Sequence, residues 1–314
     1  MKRRIKISSD EPLGRLKGEE YMRRSIFFLI LLSNSLYAQT PAPVKNVWIT
    51  QIVEHPSLNQ VRKGIEDYFE KKKDLSVKLS FYNAQGDMVL AQQIAGKAKA
   101  EKLAAIVTIT TPMTQAVLAK KPSFPVIFSV VSDPLAAKLV TSLGARPENV
   151  TGVRTVSPIS MTVQKIKERI PKAKRIAFLY SLSEDNSLTV LENLIPIATK
   201  LGFTVVKKGV SKTTDISSAI QSLAGKADVV LIPQDNLVAS ALPQVLAGCK
   251  KLNLPLVASD SESVKQGALF AYDQDHYKLG IETAKMVEKV LRGENPGKIP
   301  VFEPTEFDFF SSKS

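Results

Sequence analysis

Short apolar runs alternate with helical patterns along this chain from Val47 onward, and this alternation restricts the possible folds more than any other feature. Several of the runs are apolar throughout, which is typical of parallel strands that are buried on both faces by helices. The clearest runs are PVIFSVV, RIAFLY, DVVLIP and LPLVAS, and VWITQI, VKLSFYN and AAIVTIT come before them. The sequence therefore predicts an α/β fold built from βαβ units with parallel sheets.

A cluster of turn residues, PENVTGVRTVSPIS at residues 147–160, interrupts the alternation, which then begins again with the helical pattern MTVQKIKERI. At 314 residues the chain exceeds the usual size of one domain. We therefore predict two lobes of similar architecture with a boundary in this cluster. A long helix is predicted after Phe270, with one apolar face and an end at Gly293 and Pro296. Pro196 and Pro243 lie inside helical patterns and should kink or shorten those helices.

The N-terminal region has the pattern of a secretory signal peptide. From Met22 the sequence MRRSIFFLILLSNSLYAQT combines two arginines, an apolar run too short to span a bilayer, and a small-residue exit at Ala38. We predict that residues 1–38 are an N-terminal extension and a removed signal, with translation starting at Met1 or Met22. Since Cys249 is the only cysteine, the sequence excludes an internal disulfide and a zinc cluster of thiolates. We expect a periplasmic or otherwise extracytoplasmic protein that is not lipid-anchored.

The net charge of +13 does not indicate a nucleic-acid partner. The lysines are scattered, with Lys71, Lys72 and Lys73 as the only run of three lysines, and aromatic residues do not interleave with them as in a nucleic-acid groove. We interpret this run as a solvated helix end.

Polar residues follow the predicted strands, where each strand gives way to the next helix. Ligands of open α/β sheets bind at this edge, because the free N–H groups of helix N-termini favour anions there. Helix capping explains any one cluster, but six in succession predict a cleft lined by donors and carboxylates from both lobes. The clusters are Gln51, Glu54 and His55; Thr110 and Thr111; Ser132 and Asp133; Ser183, Asp185 and Asn186; Asp235 and Asn236; and Ser259, Asp260 and Ser261.

Catalysis, metal binding and gene regulation are less well supported by the sequence. His55 lacks partners for a metal site, since the only other histidine is His276, far along the long helix. Glu54 and Asp133 could act as an acid and base pair, but no nucleophile elbow, phosphate loop or glycine fingerprint accompanies them. The effector domain of a transcription regulator would share the fold class, but a secretion signal precedes Val47 where a helix-turn-helix would lie. We expect no catalytic residue, no metal and no cofactor.

The motifs of residues 45–305 resemble the extracytoplasmic substrate-binding proteins of ABC transporters, in the branch that binds tryptophan and related aromatic amino acids. The resemblance lies in the order of TQIVEHPSL, YNAQGDM, FSVVSDP, NVTGV, PKAKRIAFLY, PQDNLVASAL and ASDSESVKQGALFAYDQDHYKLGIETAKMV. It implies the two-lobed fold of periplasmic binding proteins (type I-like), with helices on both faces of each parallel sheet and a hinge of crossing strands. The first lobe would then comprise residues 45–155 and about 274–295, the second residues 156–273, and the final crossing and tail residues 296–314.

The resemblance also implies a function, the capture of a small amphipathic ligand between the lobes for delivery to an ABC permease. An aromatic amino acid such as tryptophan is the expected ligand, and the protein is expected to be a monomer that contacts its membrane partner transiently. The alternatives are a sensor for a membrane receptor, a binding protein for another small solute and, with less support, an enzyme.

By position, the family's cleft residues fall on Gln51, Glu54, His55, Thr111, Ser132, Asp133, Asn186, Ser187, Asp235, Asn236 and Asp260. As a hypothesis, Thr111 and Ser132 bind the ligand's carboxylate. Asp235 would bind its ammonium group, with Asp133 or Asp260 as the alternative. Phe128 or Tyr180 would lie near the ligand's side chain or pack in the core.

Overall fold

The computed structural model describes residues 43–140 and 147–312. The predicted extension and signal peptide, residues 1–38, lie outside the described residues. Among the residues that are described, no helix is long and apolar enough to cross a membrane.

The first lobe is built on a five-stranded parallel sheet. Its strands are β1 (Lys45–Gln51), β2 (Val77–Asn83), β3 (Ala105–Ile109), β4 (Val126–Val131) and β5 (Val150–Arg154), and their order is β2-β1-β3-β4-β5. The connecting helices are α1 (Pro56–Glu70), α2 (Met88–Ala100) and α3 (Thr111–Leu118). Each helix begins close after the carboxyl end of the preceding strand, so these ends and the helix N-termini meet at one edge of the sheet.

The second lobe is built on a six-stranded sheet. Its strands are β6 (Arg175–Ser181), β7 (Thr204–Val210), β8 (Val229–Leu231), β9 (Leu256–Val257), β10 (Phe270–Asp273) and β11 (Asp308–Ser311). The order is β11-β10-β9-β8-β6-β7, and all pairs are parallel except β10 with β11. The helices are α4 (Ile159–Arg169), α5 (Asp185–Lys200), α6 (Ile216–Gln221), α7 (Asn236–Ser240), α8 (Leu242–Lys251) and α9 (Ser261–Gln266).

Both faces of the second sheet are covered, as its apolar strands predict. Along β6, Ile176, Phe178 and Tyr180 pack into one apolar cluster, whereas Ala177 and Leu179 pack into another. This alternation follows from the pleat, because successive side chains of a strand point to opposite faces of the sheet.

The long C-terminal helix α10 (His276–Leu291) returns to the first lobe and packs against α1. Two glycines permit the close approach. A Cβ atom on Gly64 would lie 2.3 Å from the carbonyl oxygen of Tyr277, and one on Gly280 would lie 2.1 Å from that of Val61. A larger residue at either position would force the helices apart.

The chain passes between the two sheets three times within the described residues, and these crossings form the hinge. The first pass follows β5, the second links β10 to α10, and the third precedes β11. The third segment is tied to β5 by backbone hydrogen bonds between Arg154 and Phe302 (2.9 Å) and between Phe302 and Gly152 (3.0 Å). The residue limits predicted for the lobes and the tail stay predictions.

The fold class predicted from the sequence is confirmed, and the two helix-interior prolines behave differently. Pro243 lies in the first turn of α8, and Ala241 separates that helix from α7. Pro196 lies inside α5, which continues to Lys200. The first proline therefore divides a helical pattern in two, whereas the second is accommodated near the end of a helix.

Candidate ligand-binding cleft

A cavity that opens to solvent lies where the carboxyl ends of the two sheets face each other. Its wall is lined by Val53, His55, Ser57, Leu58, Thr110, Thr111, Val130, Ser132, Thr155, Asn186, Ile232, Pro233, Gln234, Asp235, Asn236, Ala239, Asp260 and His276.

The structure brings eight of the twelve predicted site residues to this cavity. They are His55, Thr110, Thr111, Ser132, Asn186, Asp235, Asn236 and Asp260. Their role in ligand binding stays a prediction, and what the structure adds is that residues far apart in sequence share one wall.

The other four predicted residues lie outside the cavity lining and make local contacts. Gln51 is buried and donates hydrogen bonds to the Val53 carbonyl (2.6 Å) and to Asn59 Oδ1 (2.9 Å). Glu54 is exposed and accepts a hydrogen bond from Asn83 Nδ2 (3.0 Å). The first residue holds the end of a strand in place, and the second faces solvent.

Asp133 and Ser187 also act locally. Asp133 Oδ1 accepts hydrogen bonds from the backbone N–H groups of Leu135 and Ala136, both at 2.9 Å, and thereby stabilises a turn. Ser187 is fully buried and donates to Asp235 Oδ2 at 2.6 Å. Ser187 therefore holds a lining residue without lining the cavity itself.

The first lobe presents an imidazole N–H and a hydroxyl to the cavity from the start of α1. His55 Nδ1 accepts a hydrogen bond from the Ser57 backbone N–H (3.3 Å), so Nε2 carries the ring hydrogen of the neutral imidazole. Burial lowers the pKa of His55, and the negative charge of Asp260 opposes this effect. His55 Nε2 and Ser57 Oγ are both buried without a hydrogen-bond partner.

Two strained residues of the first lobe also line the cavity. Thr110 has φ 83° and Val130 has φ 49°, which are left-handed conformations that β-branched residues rarely adopt. Each costs on the order of 1 to 3 kcal/mol, and such strain concentrates at ligand sites. Thr110 precedes α3 without capping it, and its Oγ1 is buried without a partner beside the helix N-terminus.

The second lobe contributes a buried carboxylate that is held by hydrogen bonds from the protein. Asp235 Oδ2 accepts from the Ser181 backbone N–H and from the Ser187 hydroxyl, both at 2.6 Å, and Oδ1 accepts from the Val238 N–H at 2.8 Å. Burial raises the pKa of Asp235. With three protein donors already on it, Asp235 has little capacity left for a ligand.

Asn186 and Asp260, on the same side, have acceptor oxygens with unused hydrogen-bonding capacity. Asn186 Nδ2 donates to the Gln234 carbonyl at 2.9 Å, and its Oδ1 is buried without a partner. Asp260 caps α9 and accepts one hydrogen bond on each oxygen, from the backbone N–H (2.8 Å) and the hydroxyl (2.7 Å) of Ser263. Each Asp260 oxygen therefore keeps capacity for a further donor.

His276 is also brought to the cavity, although it is far from His55 in sequence. It begins α10, and its side chain lies 3.5 Å from Asp273 Oδ1. Within the described ranges, no three His, Cys, Asp or Glu residues are grouped so that they could hold a metal ion. The two histidines therefore meet without forming such a group.

Further lining residues were not singled out by the sequence analysis. Ser57 had the clearest signal, since it directly follows the His-Pro pair at a helix start. Thr155 and Gln234 lie in crossing and loop segments, and Val130 lies inside a strand run, so neither periodicity nor capping indicated them.

Hydrogen bonds also join the two lobes directly. Gln115 Nε2, on α3, donates to Asp185 Oδ2 at the start of α5 (2.7 Å). At the hinge, the Thr155 hydroxyl donates a hydrogen bond that is shared by Gln274 Oε1 (2.7 Å) and Gln234 Oε1 (3.1 Å). These contacts hold the lobes close on either side of the cavity.

Comparisons with known proteins agree with this architecture. The family model for ABC transporter substrate binding proteins matches residues 46–314. A tyrosine-binding protein of Clostridioides difficile (strain R20291) is 39% identical, over 82% of this chain and 75% of its own.

Two solved structures have nearly the same sequence identity to this chain but differ in how well they superpose on it. The ABC domain from Streptococcus pneumonia in complex with L-Trp is 34% identical with a TM-score of 0.82, over 85% of this chain and 91% of its own. The ligand-free, open structure of a substrate-binding protein with adhesive properties from Clostridium difficile is 36% identical with a TM-score of 0.64, over 85% of this chain and 92% of its own. The match of the family model over most of the chain, together with the two-lobed fold, shows that the chain belongs to the ABC transporter substrate-binding protein family.

Proposed function

We propose that this protein captures an aromatic amino acid between its lobes and delivers it to an ABC permease. One observation carries the proposal: four polar atoms that have no hydrogen-bond partner among the described residues are buried around one cavity, namely His55 Nε2, Ser57 Oγ, Thr110 Oγ1 and Asn186 Oδ1. Buried polar atoms are normally hydrogen-bonded, because an unpaired one costs about 1 to 3 kcal/mol. A bound ligand with complementary groups would satisfy them.

The unpaired atoms differ between the two sides of the cavity in a way that suits a zwitterion. On the first lobe, His55 Nε2–H and the two hydroxyls can donate to a carboxylate, and the N-terminus of α3 adds partial positive charge. On the second lobe, Asn186 Oδ1 and the carboxylate of Asp260 can accept from an ammonium group.

The apolar residues of the cavity wall would pack against an apolar side chain of the ligand. Six residues supply this part of the wall: Val53, Leu58, Val130, Ile232, Pro233 and Ala239. Phe128 is fully buried in the first core and Tyr180 packs in the second, and the cavity lining includes neither. An aromatic ring between aliphatic side chains would bury apolar area on both of its faces.

The comparisons support both the ligand class and a closed arrangement of the lobes. One relative is described as tyrosine-binding, and another contains L-Trp. At nearly equal identity, the chain superposes better on the L-Trp complex than on the ligand-free, open structure, with TM-scores of 0.82 and 0.64. A ligand that touches both lobes would favour this closed state, which the permease would recognise.

Export precedes capture in this proposal. The protein is secreted by its signal peptide, which is cleaved after Ala38, and acts as an extracytoplasmic monomer that contacts the permease transiently. N-terminal sequencing of the exported protein tests the cleavage, since an N-terminus at Met1 or Met22 would contradict it.

Calorimetric titration tests the proposed ligand. The protein is unfolded and refolded to remove any bound ligand, then titrated with tryptophan, tyrosine, phenylalanine, leucine and glutamate. We expect saturable one-to-one binding of at least one aromatic amino acid and weaker binding of leucine and glutamate. Failure of all three aromatic amino acids to bind would refute the proposed ligand class.

A further inference from the structure

A buried glutamate that the sequence analysis did not select lies behind the second-lobe wall. Glu184 is 6% exposed, and the neighbouring Asp235 is 1% exposed. Glu184 does not line the cavity, but two of its hydrogen-bond partners, Asn186 and Asn236, do. It can therefore affect a ligand through these residues without touching it.

The carboxyl group of Glu184 acts only as an acceptor in its four hydrogen bonds, each of which is donated by an N–H group. Its Oε2 accepts from Asn186 Nδ2 (3.2 Å), from the Asn236 N–H (3.1 Å) and from Asn236 Nδ2 (2.6 Å). Its Oε1 accepts from the Leu237 N–H (2.9 Å). An ionised carboxylate, which only accepts hydrogen bonds, matches these four donors.

The same contacts determine which end of the Asn186 amide faces the cavity. Asn186 Nδ2 lies between two acceptors, Glu184 Oε2 and the Gln234 carbonyl, so Oδ1 is the end left without a partner. If the amide flipped, Oδ1 would lie against these two acceptors and lose both hydrogen bonds. Glu184 thus holds an acceptor, and not a donor, at this part of the wall.

We propose that Glu184 is a positioning residue that gives the second lobe its preference for a ligand ammonium group, by fixing Asn186 with its carbonyl oxygen toward the cavity. This inference rests on the proposed function, because it assumes a ligand with an ammonium group. It assigns a specificity role to a residue that does not touch the ligand.

The protonation state of Glu184 provides a distinctive signature. Burial and the negative charge of Asp235 raise the pKa of Glu184 to about 7. Asp235, on the turn before α7, is the titratable group that acts on Glu184, whereas its hydrogen-bond partners are neutral amides. A protonated Glu184 would place a donor among donors and loosen Asn186. Ligand affinity should therefore increase between about pH 6 and about pH 8 as Glu184 ionises.

The test compares Glu184→Gln with Glu192→Gln, which changes an exposed carboxylate on α5, the helix that Glu184 directly precedes. Each protein is titrated with the tightest binder of tryptophan, tyrosine and phenylalanine, and with the analogue of that amino acid that lacks the ammonium group. In Glu184→Gln we expect the preference for the amino acid over its analogue to fall about tenfold, since a hydrogen bond to a charged group is lost. The pH dependence should disappear, whereas Glu192→Gln should keep both properties.

The outcomes separate this inference from the proposed function. Equal weakening of both ligands in Glu184→Gln, or an unchanged preference and pH profile, would overturn the positioning role. If the unmodified protein binds none of the three aromatic amino acids, the proposed function fails first. If thermal melting shows that Glu184→Gln does not fold, Asn186→Ala replaces it. That variant should lose the same preference and pH dependence, and retention of either would overturn the inference.

Discussion

The two walls of the cavity are prepared for a ligand in different ways. In the first lobe, a neutral imidazole and two hydroxyls face the cavity, and one of these hydroxyls, that of Thr110, stands on strained backbone. In the second lobe, buried carboxylates and amides meet it on regular helix starts, with Glu184 and Asp235 held by backbone and side-chain donors. Among the described residues that line the cavity, both carboxylates, Asp235 and Asp260, come from the second lobe.

The polarity of each wall follows from which donors and acceptors the lobe leaves free to bind a ligand. The first lobe leaves three buried donors, His55 Nε2–H and the hydroxyls of Ser57 and Thr110, without partners, which suits an anion. The second lobe keeps acceptors in place by burying negative charge, which suits a cation. A zwitterion would then have one orientation in the cleft.

The pH dependence of folding should distinguish the lobes most strongly. Burial and Asp235 raise the pKa of Glu184 from 4.5 to about 7. The unfolded state therefore releases this proton first as the pH increases. The resulting stability is fully present below about pH 4.5 and is lost as the pH passes through about 7, a loss on the order of 3 kcal/mol. Urea unfolding followed by circular dichroism at several pH values measures it.

Glu184→Gln should reduce this pH dependence, and Asp235, whose pKa is also raised by burial, should keep a remainder in the same direction. His55 in the first lobe acts in the opposite direction, because burial lowers its pKa below the ordinary 6.5, so its contribution to stability is lost as the pH falls. If Glu184→Gln left the unfolding profile unchanged between pH 4.5 and 7, the buried carboxylate would not distinguish the second lobe.

Asp260→Asn tests the second lobe as the cation side. The asparagine can still cap α9, but the negative charge is lost. We expect the affinity for the aromatic amino acid to weaken by about 2 kcal/mol, and the affinity for the analogue without an ammonium group to stay nearly constant. Calorimetry measures both affinities. Equal losses for the two ligands would show that Asp260 supports the structure of the cleft and does not bind the ammonium group.

Thr110→Val tests the first lobe as the anion side with a residue of nearly the same shape. The hydroxyl is lost, and the β-branched side chain at φ 83° is kept. Binding of the amino acid should weaken by about 1.5 kcal/mol, and binding of the corresponding amine, which lacks the carboxylate, should not change. A larger loss for the amine would reverse the assignment of the two walls.

Gln115→Ala tests the contact that joins the walls. The hydrogen bond to Asp185 is exposed, so its loss should cost less than about 1 kcal/mol of ligand affinity, mainly through faster dissociation. Stopped-flow measurement of the dissociation rate checks this, with Gln221→Ala, on the second lobe alone, as the control. An unchanged dissociation rate would show that this contact does not help to hold the lobes closed on the ligand.

Much of the fold could be predicted because each βαβ unit has a local signature. Runs such as RIAFLY are strands in the structure, and the polar residues after them lie where strands end and helices begin. The candidate site was harder to predict. Glu54 and His55 are adjacent in sequence, but the first faces solvent and the second lines the cavity. The direction in which a side chain points beyond the end of a strand depends on how the surrounding elements pack.

The sequence also missed residues whose surroundings come from distant parts of the chain. His276 was set aside as distant, yet α10 returns to the first lobe and brings it to the same wall as His55. Glu184 lies between predicted residues but carries no pattern of its own, since its importance comes from donors about 50 residues further along the chain.

The sequence by itself determined the α/β class, the two series of strands and the edge at which polar residues collect, because periodicity, capping and strand burial are local properties. Only the tertiary structure decided which of those polar atoms stay unpaired. That depends on which donors and acceptors meet across the hinge and behind the walls, as the amide of Asn186 shows. Hydrogen-bond partners are matched in space, so the polarity of the cleft follows from the folded chain.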